Sequence, residues 1–329
     1  MAHRINSIGY YGEEPWHGLG TKVPARADSE TMIKAAGLDW RVEKRPIRGA
    51  RLDAKGRPVK YEIIRRARTP KEYDIPLAHA TRKYHLLQNE EAFQFFEPIV
   101  GKKAAIFETA GALDDGERLW VMAKLPKEIK VLGDDIVNKY LLLSNSHNAK
   151  GAITIKFTPI RVVCHNTLSM ALKDGTAHVR VYHTVNMHER LAEVPKIMGI
   201  VNNMYETAEE TFQMLAKIQV NTMRLLEYLE SIYPRTKTQL LKRQYPLQWE
   251  AILELFEKGD PDIPQIKGTL WSLYNSITRY IDYRPGREDT PDKRLNRVWF
   301  GDGADLKMQA LHSAAEMAKL WKGGHPSMN

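Results

Sequence analysis

The sequence has a single cysteine, Cys164, among its 329 residues. One cysteine excludes an internal disulfide and every zinc site built from several cysteines, and it is typical of a reducing compartment. No apolar run approaches the length of a membrane span, and the first residues lack the apolar core of a signal peptide. Near Gly18 and Gly20 no third glycine follows at the spacing of a dinucleotide loop, and Gly-Lys-Ser/Thr is absent. We therefore expect a cytoplasmic protein with no membrane partner and no cofactor.

Positive charge is concentrated in one stretch, residues 41–71. The chain has 49 basic and 40 acidic residues, a formal net charge of +9. Twelve of the basic residues and three of the acidic ones lie in 41–71, so this stretch alone accounts for the whole excess. A local excess of positive charge favours an acidic partner, and nucleic acid is the commonest one. The alternative is a solvated edge strand whose charges prevent edge-to-edge pairing.

The same stretch has the pattern of a β-hairpin. Residues 45–52 and 58–65 form two short, partly β-branched runs, and the turn 53–56 ends in Gly56, which tolerates the positive φ of a tight turn. Alternation along the second strand predicts two faces, one with Val59, Tyr61 and Ile63 and the other with Lys60, Glu62 and Ile64. The sequence therefore predicts a folded basic hairpin over 41–71.

Turn signals and strand-like alternation recur up to about residue 185, which predicts an α+β region with an antiparallel, meander-like sheet. From 189 to 233 apolar residues recur at steps of three and four, which predicts a long helix, or two in line. We assign 1–185 to an α+β nucleic-acid-binding core with the basic hairpin. Residues 186–329 are assigned to a helical region with a long helix over 188–233 and shorter helices after it. The long helix either covers the sheet or packs against a neighbouring subunit.

Single-stranded DNA requires cations that contact its phosphates and flat side chains on which its bases stack. The hairpin and the central part of the predicted sheet supply both kinds of side chain. The candidate DNA-binding residues are Arg48, Arg51, Lys60, Tyr61, Arg65, Arg66, Lys156, Arg161, His165 and Asn166. We assign the hairpin cations to phosphates, Lys156 and Arg161 to the floor of a groove, and Tyr61 to stacking.

Catalytic and metal-binding patterns are weak. Cys164 and His165 are neighbours on a predicted strand, where successive side chains point to opposite faces, so they do not form a thiol–imidazole pair there. The acidic pairs at 114–115 and 134–135 lie beside glycines in predicted turns, where aspartate is favoured by turn formation alone. Zinc hydrolases typically have two histidines at helical spacing with a glutamate. The other histidines of this region lack that pattern: His147, His178, His183 and His188. We assign no catalytic residue and no metal ligand.

The segment 159–168 (PIRVVCHNTL) resembles the phage/plasmid-like protein family, domain of unknown function 932. The resemblance extends over most of the chain, through 15–20 (PWHGLG), 36–40 (AGLDW), 108–111 (ETAG), 144–147 (SNSH) and 271–275 (WSLYN). It implies a protein of a mobile element in a bacterial host. It implies no function.

The predicted sheet with its long helix also resembles, in architecture alone, the single-strand annealing proteins of the RecT, Redβ and Rad type. That resemblance implies a non-enzymatic protein that binds single-stranded DNA and anneals it without ATP during homologous recombination, as a homo-oligomeric ring or filament. Two alternatives stay open. One is a metal-dependent enzyme acting on nucleic acid or nucleotides, and the other is a phage or plasmid protein that binds a host protein.

Overall fold

The structure, a computed structural model, describes residues 5–12, 20–100, 105–161, 178–193, 198–260, 263–283, 294, 297–299 and 301–322. The strands are β1 (Ile5–Tyr10), β2 (Thr21–Lys22), β3 (Val42–Pro46), β4 (Lys60–Arg65), β5 (Ile75–Thr81), β6 (Ile106–Leu113), β7 (Arg118–Lys124), β8 (Ile129–Lys130), β9 (Ile136–Ser146), β10 (Ile153–Arg161) and β11 (His178–Val181). The helices are α1 (Ser29–Ala35), α2 (Asn89–Gln94), α3 (Glu97–Val100), α4 (Met187–Glu193), α5 (Met198–Ala216), α6 (Thr222–Ile232), α7 (Lys237–Leu241), α8 (Leu247–Lys258), α9 (Leu270–Tyr283) and α10 (Asp302–Lys322). The predicted α+β class is confirmed.

The main sheet has the strand order β11-β10-β9-β7-β6-β1-β2, with β8 paired to β9. Its pairs are antiparallel except for β1 with β2, which run parallel. The strands from β6 to β11 follow one another in space nearly as they do in the chain. This is the predicted meander.

The central strands of this sheet are buried on both faces. In β7, Leu119 and Val121 belong to the large core on one face, whereas Trp120 and Met122 belong to a smaller core on the other. Side chains along a strand alternate between faces, so a strand covered on both sides needs an unbroken apolar run. The sequence of β7 supplies that run.

The helical region packs around α9, in which eleven of the 14 residues are buried. Trp271 of α9 packs on Phe212 of α5, with ring centroids 4.7 Å apart. The indole Nε1 of Trp271 donates to the Asp135 carboxylate at 2.7 Å, between β8 and β9. In α5, the Tyr205 hydroxyl donates to the carbonyl of Tyr140 at 2.8 Å. These contacts fix the helices on the sheet.

The long helix predicted over 188–233 is divided in the structure. Helix α5 ends at Ala216, and Asn221 begins α6 because its side chain accepts a hydrogen bond from the amide of Arg224. The hydrophobic period continues across this break, so spacing alone does not reveal the cap. One hydrophobic cluster runs from Val23 to Ala318, across the predicted division at 185 and 186. The α+β region and the helical region therefore contribute residues to the same hydrophobic cluster.

The basic hairpin belongs to a separate three-stranded sheet with the order β3-β4-β5. The regular strands are shorter than the predicted runs 45–52 and 58–65. Strand β3 begins earlier and ends at Pro46, and β4 begins at Lys60. The predicted alternation on β4 fails at its centre. Ile63 and Ile64 are both buried, since the pairing with β5 shifts register between them. A β-bulge of this kind turns two successive side chains toward the core.

Candidate nucleic-acid interface

The hairpin extends beyond its regular strands as an ordered loop. The Val59 amide donates to the carbonyl of Arg51 at 3.0 Å, and a further bridge joins Leu52 to Pro58. At the end of the loop, the amide of Asp53 donates to the carbonyl of Arg57 at 2.8 Å. The predicted turn at 53–56 therefore closes the hairpin.

Asp53 holds this turn together. Its Oδ1 accepts the amides of Lys55 and Arg57 at 2.9 and 3.0 Å, and its Oδ2 accepts the Nε of Arg57 at 3.0 Å. These bonds, first of all those from Arg57, lower the pKa of the Asp53 carboxyl to about 2. Gly56 has a φ of +69°, as the turn requires. The aspartate of this loop is therefore committed to local structure.

The charged groups of four exposed residues, Arg48, Arg51, Lys55 and Lys60, form no hydrogen bond or ion pair with any residue that the structure describes. Two more exposed cations lie beside them, because Lys60 pairs with Thr81 and the chain continues from Thr81 directly into Arg82 and Lys83. We call these six the tip cations: Arg48, Arg51, Lys55, Lys60, Arg82 and Lys83. The tip cations are available to an external polyanion.

At the opposite end of the same sheet, three arginines are paired with carboxylates of the same chain. The guanidinium groups of Arg45 and Arg66 each approach both Glu43 and Asp74 at 3.1–3.2 Å. Arg68 is paired with Asp39 at 3.1 Å and with Glu72 at 3.3 Å. Arg41 and Lys71 are the exposed cations at this end that lack a partner among the described residues.

Two more cations of the hairpin are engaged with aromatic rings and backbone carbonyls. The Arg65 guanidinium lies over the Trp40 ring at 4.9 Å and donates to the carbonyl of Asp115 at 2.9 Å, and burial lowers its pKa. Lys44 donates to the carbonyl of Tyr84 at 2.6 Å and lies 5.1 Å above the Tyr61 ring. We name Lys44, Arg45, Arg65, Arg66 and Arg68 the inner cations.

The predicted DNA-binding residues thus have different surroundings. Arg48, Arg51 and Lys60 are tip cations, whereas Arg65 and Arg66 are inner cations. One face of the half-buried Tyr61 is occupied by Lys44.

Lys156 lies on β10, away from the hairpin. Its ammonium donates to the carbonyl of Trp299 at 3.1 Å, and burial lowers its pKa to about 8, helped by the positive charge of Lys307. Lys156 is half-buried, and its predicted place in a groove floor stays a prediction. For Arg161 only the backbone in β10 is described, and His165 and Asn166 lie outside the described residues, as does Cys164.

Three tip cations, Lys55, Arg82 and Lys83, were not among the predicted DNA-binding residues. Lys55 lies within the basic stretch, but Arg82 and Lys83 do not. Only the pairing of β4 with β5 brings these two residues to the tip. The sequence contained a signal for a basic surface here. Residues 75–87 include the adjacent cations Arg82 and Lys83 and no acidic residue.

Two of the histidines considered above are buried and neutral. The Nε2 of His147 is 3.1 Å from the Oδ1 of Asn89, whose amide group donates to the carbonyls of Leu38 and Trp40. Burial lowers the pKa of His147 to about 3. His183 donates from Nδ1 to the carbonyl of His85 at 2.8 Å, and burial lowers its pKa.

The aspartates of the two acidic turns take part in turn formation or in packing. Asp114 and Asp115 both have positive φ in a tight turn, and Asp135 is buried against the Trp271 indole. Among the described residues, no group of three or more His, Cys, Asp or Glu side chains is arranged to hold a metal ion. No described helix combines the length and the apolar character that crossing a membrane requires.

Together these features define an α+β protein in which a small basic sheet projects an unpaired cationic tip beside a larger antiparallel sheet. The model of one protein family, Domain of unknown function (DUF932), matches residues 76–299. This is more than half of the chain, and the protein belongs to that family. No curated protein and no solved structure matches the sequence. The matched range includes Arg82 and Lys83 but begins after the hairpin loop.

Proposed function

We propose that this protein binds single-stranded DNA through the tip cations, without catalysing a reaction. The proposal is carried by one observation, the difference between the two ends of the basic sheet. At one end arginines are matched by carboxylates of the same chain, whereas at the other end six exposed cations have no partner among the described residues.

An unpartnered cluster of this size suits a phosphate backbone. Each cation that neutralises a phosphate releases condensed counterions, which favours binding at low salt and makes it salt-dependent. Ordering of the loop by Asp53 supports the proposal, because cations on a fixed turn lose less conformational freedom when they bind.

The test compares two double variants with the same loss of charge. Arg51→Ala/Lys60→Ala removes two tip cations, and Arg41→Ala/Lys71→Ala removes two exposed, unpartnered cations at the other end. For an oligothymidine, we expect the tip variant to flatten the slope of log affinity against log salt by about 1.4, from about 0.7 per lost phosphate contact. The control variant should keep the wild-type slope. Equal slopes for the two variants would contradict the assignment of the tip.

The resemblance to annealing proteins extends the proposal to strand pairing by a homo-oligomer of a phage or plasmid. A fluorescence-transfer assay with complementary oligonucleotides measures annealing, and electron microscopy with and without DNA measures assembly. Annealing without ATP, together with rings or filaments, is the expected result. Tight DNA binding by a monomer that does not accelerate pairing would confine the function to strand binding.

The two alternative functions give different results in the same preparation. A metal-dependent enzyme would cleave or modify the oligonucleotide, and a chelator would stop it. A protein that docks on an acidic host protein would show no DNA affinity even at low salt. In that case the exposed Leu52, at the end of the loop, would be the apolar contact to mutate first.

A further inference from the structure

Tyr182 is an exposed aromatic residue whose neighbour, His183, contacts the segment that follows Arg82 and Lys83. Its side chain is 57% exposed and makes no ring contact with any residue that the structure describes. It directly follows β11, the edge strand of the main sheet. Arg180 and Tyr182 are exposed, whereas Val181 and His183 are buried, so the alternation places Arg180 and Tyr182 on one side of the strand.

Reciprocal hydrogen bonds hold this segment against the end of the small sheet. The amide of His85 donates to the carbonyl of His183 at 3.0 Å, and the Nδ1 of His183 donates back to the carbonyl of His85 at 2.8 Å. The ring of His183 is stacked on Tyr84 at 4.5 Å. Because Arg82 and Lys83 immediately precede these residues, Tyr182 is attached to the chain segment that completes the tip.

The charge along this junction has one sign. Neither 75–87 nor 178–188 contains an aspartate or a glutamate. Arg180 is exposed and has no partner among the described residues. Exposed cations therefore precede both segments of this junction, Arg82 and Lys83 before Tyr84 and Arg180 before Tyr182.

We infer that Tyr182 is a base-stacking platform that makes the tip selective for single strands. This inference rests on the proposed function. When the tip cations hold the phosphates of a single strand, its bases stay unpaired, and an exposed ring at the adjoining segment offers the flat apolar contact on which such bases stack. The bases of a duplex are stacked inside the helix and do not reach such a ring.

Tyr73 provides the matched control. It is 88% exposed, more than Tyr182, but it lies between Glu72 and Asp74 at the inner end of the small sheet. Exposure alone would make Tyr73 the better platform, whereas local charge favours Tyr182. Comparison of the two therefore separates a stacking site from a merely exposed tyrosine.

The experiment measures affinities of full-length Tyr182→Ala, Tyr182→Phe and Tyr73→Ala for an oligothymidine and for a duplex. Stacking contributes about 1–3 kcal/mol per base, so we expect Tyr182→Ala to weaken oligothymidine binding about tenfold or more. Its salt slope and duplex affinity should match those of the wild type, and Tyr182→Phe should restore oligothymidine binding. Tyr73→Ala should have no effect. Because Tyr182 is exposed, its replacement leaves the core intact, and circular dichroism checks this.

Three outcomes overturn the inference. These are equal effects of Tyr182→Ala and Tyr73→Ala, an equal loss of duplex and single-strand affinity, and failure of Tyr182→Phe to restore binding. If Arg51→Ala/Lys60→Ala still flattens the salt slope in the same assay, the proposed function stands and the platform alone fails. If that variant also behaves as the wild type, the tip assignment itself fails.

Discussion

The two ends of the small basic sheet contain similar residues in different surroundings. At the inner end, Arg45 and Arg66 share Glu43 and Asp74, and each of these four side chains is 31–48% exposed. At the tip, Arg48 and Arg51 are exposed and have no partner among the described residues. The difference teaches that a charge excess read from the sequence does not locate a binding surface. Only the cations left over after internal pairing can do so.

The inner cations and the tip cations should therefore respond differently to substitution. An inner cation is tied to rings, carboxylates or carbonyls of its own chain, so its removal costs stability. A tip cation makes no such contact, and a surface substitution of that kind is usually neutral within about 0.5 kcal/mol. Stability measurements therefore separate cations that support the fold from cations that are free for a ligand.

Lys156 extends this comparison to a half-buried cation on the main sheet, and it gives the largest expected effect. Its pKa is about 8 in the folded state, against an ordinary value of 10.5. Between these values the unfolded chain binds the proton and the folded chain does not, so stability rises as pH increases through that window. Methionine does not titrate, so Lys156→Met does not gain this stability. The free energy of unfolding of Lys156→Met, relative to that of the wild type, should therefore fall by at most about 3 kcal/mol between pH 8 and 10.5.

Chemical denaturation at several pH values measures this change. A variant of the exposed Lys83, Lys83→Met, should show a constant difference from the wild type over the same range. A constant difference for Lys156→Met as well would mean that the lysine is solvated in the folded protein.

Arg65→Ala should destabilise the protein by about 2 kcal/mol. The change removes a guanidinium stacked on Trp40, together with the hydrogen bond that this group donates to the carbonyl of Asp115. A cation–π contact of a partly buried arginine and a hydrogen bond from a charged group together have this magnitude. Arg65→Lys should recover only part of the loss, because an ammonium does not stack on the ring. Urea unfolding measures this loss, and Arg51→Ala, which removes a tip cation, is the control. An equally large loss of stability in Arg51→Ala would contradict the difference between the two ends.

Much of the fold could be predicted from the sequence, because the signals are local. The apolar run of β7 and the Asp53 turn depend on neighbours within a few residues. The bulge at Ile63 and Ile64 and the break before α6 could not be predicted, since each depends on pairing or capping that leaves the hydrophobic period unchanged. The candidate site was predicted in part. Arg48, Arg51 and Lys60 form no ion pair with any described carboxylate, and this depends on where the fold places the acidic side chains rather than on local sequence.

Removal of a carboxylate at the inner end should cost less than removal of Arg65. Asp74→Asn eliminates the negative charge shared by Arg45 and Arg66, and we expect a loss of about 1 kcal/mol, because exposed ion pairs contribute little even in a network. Glu62→Gln is the control, since the half-buried Glu62 has no ion pair to any described residue. Its stability should change by less than about 0.5 kcal/mol. A larger loss for Glu62→Gln would mean that pairing within this sheet does not follow the observed contacts.

The smallest effect concerns the tip itself and reports on its order. The pKa of Asp53 is lowered to about 2 from 3.8 by the hydrogen bonds from Arg57 and Lys55. For a carboxyl with a depressed pKa, the stabilisation is fully present above 3.8 and is lost as pH falls through about 2. In an NMR titration, the amide signals of Lys55 and Arg57 should therefore move together with a midpoint near 2, and Asp53→Asn should abolish that transition. A midpoint near 3.8 would show a carboxyl exposed to water and a loop that is not closed. With the turn closed at neutral pH, the backbone that carries the tip cations is ordered, whereas an open loop would have to be ordered by any ligand that binds it, at a cost in affinity.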